Sequence, residues 1–549
     1  MSCAGNVSQF LLAGIRASVD ASDAEILKKA KEKMKRAGIS TSTLHFRLFK
    51  KSVDARRKED VRFECTVLIE SCSDEKSPSV EQMRRLGARP LEREAILPRF
   101  GNAPLRARPL VVGMGPAGLF AALLLAQNGY APILIDRGGS VEERAAAVER
   151  FRTFGILDPE CNIQFGAGGA GTFSDGKLVT RINDPKCSFV LDTFVQFGAP
   201  REILVQAKPH VGTDLLRGVV KAILAEIERL GGEIRYRCCL KDFRELPDGT
   251  LCVSTGQGEL VCGAMILAIG HSSRDTYRLL MKKSFAMEQK PISVGVRAEH
   301  LQKEIDRALY GDFAGHPNLG HAEYALSDTR GARGVYTFCM CPGGEVVAAA
   351  SEEEGLVVNG MSYHARSNPN ANAAVLVSVL PEDIPAENGN PLLGSLAFQR
   401  SLEHAAYLAG GGDYVAPIMT VGDFLNDRMG TEPSRILPSY RDGKVRPANF
   451  ERVFPPFVID GLKRGLFSFG KKIPGYDAPD AVLTAAETRT SAPLRILRDP
   501  QTMQALGHAQ IYPCGEGAGY AGGITSAGVD GIRCALALME RFAPKNHTM

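Results

Sequence analysis

The sequence predicts a mixed α/β protein of several domains, and three observations lead to this prediction. The chain has 549 residues, 44% hydrophobic and 23% charged, which is the composition of an ordinary globular protein with room for two to four domains. A strand, a glycine turn, a helix and a second strand can be read in RPLVVGMGPAGLFAALLLAQNGYAPILIDRG, from residue 108. A second glycine cluster, IYPCGEGAGYAGGITSAGVDG, lies at residues 511–531. Glycine inside an element costs about 1 kcal/mol relative to alanine, so this cluster indicates close approach of a ligand.

Residues 1–100 are predicted to form a small basic β-α-β-β module of ferredoxin-like type. Ser22 and Glu25 form a capping box at the start of a lysine-rich helix, and two β-rich runs follow at 41–53 and 61–71. Up to residue 110 the chain carries 22 Lys and Arg against 14 Asp and Glu. This excess is compatible with a nucleic-acid surface or with an ordinary solvent-facing surface, and the second interpretation is favoured.

The second predicted domain begins with a dinucleotide-binding fingerprint. Gly113, Gly115 and Gly118 fit G-x-G-x-x-G between a buried strand and a helix. The first glycine permits the turn, the second lets backbone amides approach a pyrophosphate, and the third lets the helix pack on the strand. Asp136 lies 23 residues after Gly113, where it can accept hydrogen bonds from the adenosine ribose. The fingerprint alone leaves NAD and FAD open.

The downstream segments resemble the FAD-binding fold of the glutathione-reductase-like superfamily. They include GGEIRYRCCLKDF, the strand that ends in A-I-G, and the C-terminal glycine cluster. The resemblance implies that Leu240 lies near the adenine, Ala268–Gly270 near the pyrophosphate, and Gly515 and Glu516 at the ribityl chain. It also implies that the helix beginning near Gly523 points its N-terminus at the isoalloxazine. Glu516 stands where the superfamily usually has Asp.

Longer stretches resemble a family of bacterial proteins known as uncharacterised FAD-dependent dehydrogenases. They are NIQFGAGGAGTFSDGKL, SVGVRAEH, YTFCMCPGGEVVAA, ETRTSAPLRI and YPCGEGAGYAGGITSAGVDGI, and the likeness extends over the whole chain. The resemblance implies FAD as the cofactor, no metal, and a flavin-side loop in GAGGAGTFSDGK. The complete set of predicted FAD contacts is Gly113, Gly115, Pro116, Ala117, Gly118, Asp136, Arg137, Gly169, Ala170, Gly171, Thr172, Leu240, Ala268, Ile269, Gly270, Gly515, Glu516, Gly522, Gly523 and Ile524.

Three residues are candidates for catalysis. Lys177 follows the flavin-side loop and could stabilise a reduced flavin or bind an acidic substrate, or it could be an exposed structural lysine. Arg489 precedes the terminal flavin segment and suits an anionic substrate. His300 could be a general acid or base, although a lone histidine is more often simply hydrogen-bonded. Alternation puts Arg297 and Glu299 on one strand face, where a structural ion pair is the default interpretation.

The cysteines of FCMCPGG, Cys339 and Cys341, are predicted to be buried strand residues. A disulfide between such neighbours is strained, and the C-x-x-C spacing of thiol-disulfide reductases is missing. A redox pair and a metal site remain as alternatives. The chain has 13 cysteines, an odd number without a zinc-type pattern, which favours reduced thiols.

The predicted domains are residues 1–100 for the basic module, 106–285 for the first part of the FAD domain, 286–479 for an inserted α+β substrate or cap domain, and 480–549 for the second part of the FAD domain. The predicted function is that of an FAD-dependent oxidoreductase that exchanges hydride with an anionic small molecule. The alternatives are an RNA-associated flavoprotein, which would use the basic module, and a non-enzymatic flavin sensor.

The expected partners are a small-molecule substrate and, at most transiently, NAD(P)H. After Gly118 the sequence shows no second fingerprint between a strand and a helix. No stretch approaches the roughly 20 apolar residues of a membrane span, and the first residues lack the features of a signal peptide. These observations predict a cytoplasmic protein without a membrane partner.

Overall fold

The structure is a computed structural model that describes residues 8–71, 78–91 and 96–544. By its internal contacts the chain divides into two compact units. The first comprises residues 1–96, 200–210 and 306–322, and the second comprises residues 97–199, 211–305 and 323–549.

The first unit contains a four-stranded antiparallel sheet and two helices. The elements in chain order are β1 (Ser8–Ser18), α1 (Asp23–Arg36), β2 (Leu44–Asp54), β3 (Arg62–Ser71), α2 (Val80–Arg85) and β4 (Ala88–Pro90), with sheet order β2-β3-β1-β4. Ser22 and Glu25 form the predicted capping box of α1, which buries Ile26, Ala30 and Met34. The element order β-α-β-β-α-β is the one expected of a ferredoxin-like module, and assignment to that class stays a prediction.

The second unit holds most of the remaining elements. Its strands are β5 (Ala103–Pro104), β6 (Leu110–Val112), β7 (Ile133–Ile135), β8 (Glu233–Arg235), β9 (Leu240–Glu245), β10 (Leu251–Thr255), β11 (Gly258–Cys262), β12 (Met265–Leu267), β13 (Met287–Gln289), β14 (Ile292–Leu301), β15 (Ser327–Asp328), β16 (Val335–Cys341), β17 (Glu345–Ala348), β18 (Val358–Met361), β19 (Asn370–Val379), β20 (Ala416–Thr420), β21 (Val445–Pro447), β22 (Val482–Glu487), β23 (Leu494–Ile496), β24 (Ile511–Pro513) and β25 (Phe542–Ala543).

The remaining helices of the chain are α3 (Pro116–Gln127), α4 (Val141–Phe154), α5 (Lys186–Gln196), α6 (Thr213–Arg229), α7 (Arg274–Lys282), α8 (Gln302–Tyr310), α9 (Pro391–Gly410), α10 (Val421–Leu425), α11 (Pro456–Gly470) and α12 (Ile524–Arg541). Short 3-10 turns occur at Ala170–Phe173, Arg201–Leu204, Gly311–Phe313, Pro381–Asp383, Tyr440–Asp442 and Phe450–Arg452.

A five-stranded parallel sheet, in the order β24-β12-β6-β7-β8, carries the predicted fingerprint. Counted along the chain, this order is 5-4-1-2-3, the order of a doubly wound sheet. Helix α3 follows β6 and buries ten of its residues, among them Gly118 and Leu119. Helix α12 packs against α3, and a Cβ on Gly531 would collide with the carbonyl of Ala117. Part of the C-terminal glycine cluster therefore serves helix packing.

A seven-stranded sheet, in the order β15-β16-β19-β14-β22-β20-β21, forms the second large element of this unit. Strand β14 lies at its centre, between β19 and β22, and buries every residue from Ile292 to His300. All its pairings are antiparallel except that of β20 with β21. The register of β16 against β19 shifts between Phe338 and Cys341, where φ of Cys339 is +44°.

The mixed α/β class predicted from the sequence is confirmed. The glutathione-reductase-like arrangement and the predicted domain boundaries stay predictions. Within the described part of the chain, no helix is both long enough and apolar enough to cross a membrane.

Candidate functional site

A cleft opens at the carboxyl ends of four parallel strands in the second unit. The residues that follow β6, β7, β12 and β24 all line it: Gly113, Asp136, Ala268 and Cys514. Ligands of open α/β sheets bind at this edge. The empty volume is about 1520 Å³, including the open mouth. The position of these four residues makes the cleft the candidate ligand site of the second unit.

The turn between β6 and α3 has the geometry that its glycines predict. Gly113 has φ of +105°, and its amide donates to the carbonyl of Ile135 at 2.7 Å. A side chain there would collide with the carbonyl of Ala268. Gly115 caps α3 without a side-chain hydrogen bond and lines the cleft. The first amides of α3 are therefore presented to the cleft with their partial positive charge.

Asp136 lies at the end of β7, where the fingerprint places the ribose-binding acid. Its two carboxylate oxygens accept hydrogen bonds from the amides of Met114 and Gly138, each at 2.8 Å. The side chain is 8% exposed and lines the cleft. Each oxygen keeps a lone pair for a further donor. The acid is thus held in place by the same turn that forms the glycine loop.

The loop at residues 166–173 forms the wall opposite the first turn of α3. The amide of Gly168 donates to the carbonyl of Met114 at 2.9 Å, which fastens the two loops together. Gly169, Ala170 and Gly171, which are among the predicted cofactor contacts, line the cleft. A Cβ on Gly169 would stand 2.7 Å from the Cα of Gly115. The two loops can approach this closely only because residue 169 has no side chain.

The C-terminal glycine segment returns to the same cleft. Glu516 and the residues that start α12, Gly523 and Ile524, line it. No side chain caps α12. Burial raises the pKa of Glu516 to about 7, and Lys290 opposes the rise. Among residues that the structure describes, none donates a hydrogen bond to the Glu516 carboxylate, which makes it an acceptor facing the cleft.

An ion pair behind this segment fixes its position. Arg498 donates to both carboxylate oxygens of Asp530, at 2.9 and 2.6 Å, and Asp530 accepts from the amide of Gly515 at 2.7 Å. The ligand atoms of Cys514, Asp530 and Cys534 lie within 4.8 Å of one another. The Arg498 guanidinium is 3.5 Å from the Cys534 sulfur, so the cation at this cluster is an arginine.

Lys177, a predicted catalytic residue, also lines the cleft. Its Nζ is 3.5 Å from Asp175 and 3.9 Å from Glu323, and it donates to the carbonyl of Met340. Burial favours the neutral amine, but the two carboxylates prevail and raise the pKa of Lys177 above its ordinary value. The lysine therefore stays charged within the cleft.

Arg489 also lines the cleft, but its guanidinium is engaged elsewhere. It donates two hydrogen bonds to Glu403, at 2.9 and 2.8 Å, and a third to Ser351. Arg274 binds the same carboxylate at 2.7 Å, and Glu403 is fully buried. The burial of Glu403 is outweighed by the two arginines, which hold its pKa well below the ordinary value. Arg489 is thus part of a buried ionic network.

His300 lies outside the described cleft lining. It is buried on β14, its Nε2 is 2.7 Å from the carbonyl of Tyr476, and burial lowers its pKa. The ion pair observed on this strand differs from the predicted pair of Arg297 with Glu299. Arg297 binds Glu487 at 2.7 Å, whereas Glu299 accepts from Ser439 at 2.6 Å.

The structure brings fifteen of the twenty predicted cofactor residues to the cleft. The five that do not line it are Gly118, Arg137, Thr172, Leu240 and Gly515. Gly118 instead lets α3 pack against the turn, since a Cβ there would collide with the carbonyl of Gly113. Arg137 pairs with Asp275 at 2.8 Å and stacks over Phe165, which does line the cleft.

Several cleft residues were not identified from the sequence. His271 directly follows the A-I-G turn; burial lowers its pKa to about 4, and its Nδ1 is 2.9 Å from Ser272. The signal in the sequence that could have identified His271 is its position directly after the A-I-G turn. Gln164 and Asp175 lie within the motif that contains the flavin-side loop but were not singled out there. Phe338 on β16, Asn359 on β18 and Glu487 on β22 come from strands that no local pattern connects to the glycine loops.

Comparison with known proteins shows the family to which this chain belongs. Residues 291–490 match the family described as "FAD-dependent protein, C-terminal domain-like", and residues 13–70 match "Domain of unknown function (DUF8436)". The protein is FAD-dependent, and FAD is its cofactor. An uncharacterised protein of Clostridium beijerinckii is 47% identical over 506 residues, which cover 90% of this chain and 92% of that one. The chain therefore belongs to the same family as the clostridial protein.

Solved structures of flavoproteins show only distant likeness. The crystal structure of CtdE in complex with FAD is 9% identical, covers 79% of this chain and 84% of its own, and has a TM-score of 0.32. The crystal structure of FqzB is 12% identical, and the match covers 80% of this chain and 76% of FqzB with a TM-score of 0.33. Thioredoxin reductase of Lactococcus lactis is 14% identical, with coverages of 30% and 36% and a TM-score of 0.18. These scores are too low to support an argument about this chain.

The residues of the cleft fit FAD. The uncapped N-termini of α3 and α12 suit the pyrophosphate and an electron-rich ring. Glu516 offers an acceptor without a donor, which suits a ribityl hydroxyl. A Cβ on Gly270 or Gly522 would meet no atom within 4 Å, so the space in front of both residues is open.

Proposed function

We propose that this protein is an FAD-dependent oxidoreductase that acts on an anionic small molecule. The observation that carries the proposal is a single cleft whose lining joins the glycine loops to Lys177 and to strands of the inserted region. The first part suits a dinucleotide. The second part includes Phe338 of β16 and Asn359 of β18, and a substrate would bind there beside FAD.

The order of the lining residues supports one orientation of FAD in this proposal. Asp136 would bind the adenosine ribose, the first turn of α3 the pyrophosphate, and Glu516 a ribityl hydroxyl. The isoalloxazine would then lie near the start of α12. Thr525 of that helix donates to the carbonyl of Leu178 at 2.7 Å, which brings the residue next to Lys177 to the same end of the cleft.

Bound FAD supplies a donor or acceptor of two electrons. The chain's own residues bind and orient the reactants. Lys177 stays protonated and would attract negative charge on a substrate or on the reduced cofactor. Asp175 and Glu323 offset part of that charge, so Lys177 acts through direct contact rather than through a broad positive field. Arg489 would support the wall through Glu403 instead of binding substrate.

The predicted domain layout is part of the same proposal. Residues 106–285 and 480–549 would bind FAD, and the inserted residues 286–479 would supply the substrate wall. Two of the wall residues, Phe338 and Asn359, come from that insert. The glutathione-reductase-like assignment is consistent with the 5-4-1-2-3 strand order.

Two measurements test the proposal. The flavin released by heat is identified by chromatography, and a panel of carboxylates, amino acids and thiols is screened anaerobically for bleaching of the flavin absorbance. For an anionic substrate, Lys177→Met should raise KM at least about tenfold, equivalent to about 1.4 kcal/mol. Lys186→Met is the matched control, because both side chains are 23% exposed and each lies near one Asp, at 3.5 and 3.7 Å.

Bound FAD that no donor or acceptor ever converts would contradict the oxidoreductase proposal and favour a flavin sensor. A substrate whose KM responds equally to both lysine variants would remove the anionic part of the proposal.

A further inference from the structure

The cysteines of β16 are arranged unequally at the cleft. Cys339 is partly exposed and lines the cleft, whereas Cys341 is buried. The sequence prediction of buried strand cysteines therefore holds for Cys341 but not for Cys339. Both are free thiols in the structure.

The strand is irregular where the two cysteines lie. Its register against β19 shifts between Phe338 and Cys341, and Cys339 adopts φ of +44°. A non-glycine residue in this left-handed region is strained, and such residues cluster at functional sites. The backbone at Cys339 is therefore not that of a regular extended strand. The Cys341 thiol donates to the carbonyl of Cys339 at 3.2 Å.

Cationic groups surround the pair. Arg297 is fully buried; one of its amino groups lies 3.1 Å from the Cys339 carbonyl and 3.8 Å from the Cys341 sulfur. Lys177 donates to the carbonyl of Met340, between the two cysteines. The Cys341 thiol, Arg297 and Lys177 together lower the pKa of Cys339 to about 7, against the effects of burial and Asp175. Burial raises the pKa of Cys341. Cys339 is therefore the more readily ionised of the two cysteines, as is the attacking cysteine of reactive dithiol pairs.

The pair lies at the end of the cleft where the proposed orientation puts the flavin ring. Lys177 donates a hydrogen bond to the carbonyl of Met340. The following residue, Leu178, accepts a hydrogen bond from Thr525 at the start of α12, and Val179 lines the cleft. This chain of contacts connects the cysteines to the first turn of α12.

We propose that Cys339 and Cys341 are a dithiol/disulfide couple that exchanges two electrons with FAD. The inference rests on the proposed function, because it needs the flavin ring at this end of the cleft. When the sulfur–sulfur bond forms, the Cys339 thiolate and the Cys341 thiol give up two electrons and one proton, and FAD takes up both electrons and the proton. In the reverse direction the reduced cofactor returns them and the bond breaks.

The single residue between Cys339 and Cys341 determines which way electrons flow between the pair and FAD. A disulfide across one intervening residue is strained, and strained disulfides are more easily reduced and are the labile or catalytic ones. The couple therefore favours the dithiol, and the reduced cofactor would pass electrons to the disulfide. The same pair can then reduce a disulfide compound that enters through the mouth of the cleft, by thiolate attack of Cys339 on one of its sulfurs.

The test counts thiols in the FAD-loaded protein. Arg333 and Arg366 bound a tryptic peptide that contains no cysteine other than Cys339 and Cys341. The protein is equilibrated anaerobically in thiol/disulfide buffers of graded potential, quenched in acid, alkylated and analysed by mass spectrometry. We expect both thiols to disappear together, with the peptide lighter by two hydrogens, while Cys187 remains available for alkylation.

A spectroscopic readout distinguishes a redox role from a structural one. A thiolate against oxidised flavin gives long-wavelength charge-transfer absorbance, which should appear with a midpoint near pH 7. It should be absent in Cys339→Ser, shifted to higher pH in Cys341→Ser, and unchanged in Cys187→Ser. The peptide measurement on the wild-type protein stands even where a variant fails to fold.

A peptide that stays fully alkylated at every potential would overturn the couple, and so would charge-transfer absorbance that persists in Cys339→Ser. Either result leaves the oxidoreductase proposal standing if a small molecule still bleaches the flavin. A protein that no donor or acceptor converts would instead contradict the proposed function.

Discussion

Gly169 stands against Gly115 so closely that a Cβ on Gly169 would lie 2.7 Å from the Gly115 Cα. The reverse is not true, since a Cβ on Gly115 would lie 3.8 Å from the Gly169 Cα, at ordinary contact distance. Gly115 also lacks the positive φ that would strain a larger residue. A substitution at Gly115 therefore intrudes on the cleft more than on the protein's own packing.

Gly115→Val should release FAD while the protein remains folded. The branched side chain occupies space at the α3 N-terminus, and overpacking of this kind costs about 1–3 kcal/mol, or about 10- to 100-fold in affinity. Flavin fluorescence titration measures the affinity, and circular dichroism checks the fold. Gly218→Val on α6, where a Cβ meets no atom within 4 Å, is the control and should bind FAD normally. Equal affinity in the two variants would place FAD away from Gly115.

FAD affinity should increase as the pH rises through 7. Burial raises the pKa of Glu516 from 4.5 to about 7 in the protein without FAD, with Lys290 as the opposing charged neighbour. A hydroxyl donor favours the ionised carboxylate, so FAD binding lowers that pKa and releases a proton. As the pH is lowered from about 7 to the lower pKa of Glu516 in the complex, the affinity for FAD should fall by up to about tenfold per unit of pH.

The control for this pH dependence is Glu516→Gln, which keeps an acceptor but cannot titrate. Its affinity should be flat over the same range. The stability of the wild-type protein without FAD should depend on pH in the opposite direction from its affinity for FAD. The raised pKa means that the folded state binds more protons than the unfolded state between pH 4.5 and 7, so the free energy of unfolding falls as pH rises through that window. A pH profile of affinity identical in both proteins would separate Glu516 from the cofactor.

Arg489→Ala should lower the free energy of unfolding by about 3–5 kcal/mol, because it breaks a buried ion pair with Glu403. Denaturant unfolding measures this change. Arg152→Ala, which removes a more exposed pair with Asp442, should cost less than about 1 kcal/mol. The flavin content per folded chain should be unchanged in both. A stable Arg489→Ala protein with a raised KM for an anionic substrate would restore the substrate-binding role.

NADH and NADPH should reduce the flavin slowly at most. Among the described residues, the five-stranded sheet is the only wholly parallel sheet with more than two strands, and its cleft is assigned to FAD. Anaerobic mixing with either nucleotide, followed through the flavin absorbance, measures the rate. Rapid bleaching at concentrations on the order of 1–10 μM, the low end of ordinary KM values, would show a dedicated nucleotide pocket.

Local patterns predicted those parts of the site that one short segment builds. The turn at Gly113 and Gly115 and the acid at Asp136 each depend on a few neighbouring residues. The capping box at Ser22 was predictable for the same reason. In each case the physical requirement is local, such as a positive φ or an unsatisfied amide.

Partners that meet through tertiary contacts could not be predicted. Arg297 was expected to pair with Glu299 on its own strand, but strand pairing brings Glu487 to it instead. Glu403 lies 86 residues from Arg489, and no periodicity connects them. The irregularity at Cys339 arises from its register with β19, which is set by packing across the sheet.

FAD should lie in this cleft with its ring beside Lys177, and a structure of the protein purified with its flavin would show whether it does. We expect the pyrophosphate at the first turn of α3, a ribityl hydroxyl on Glu516, and the isoalloxazine between the start of α12 and the wall formed by Lys177 and Cys339. FAD bound outside the cleft, or with its adenine against Lys177, would be incompatible with the proposed orientation.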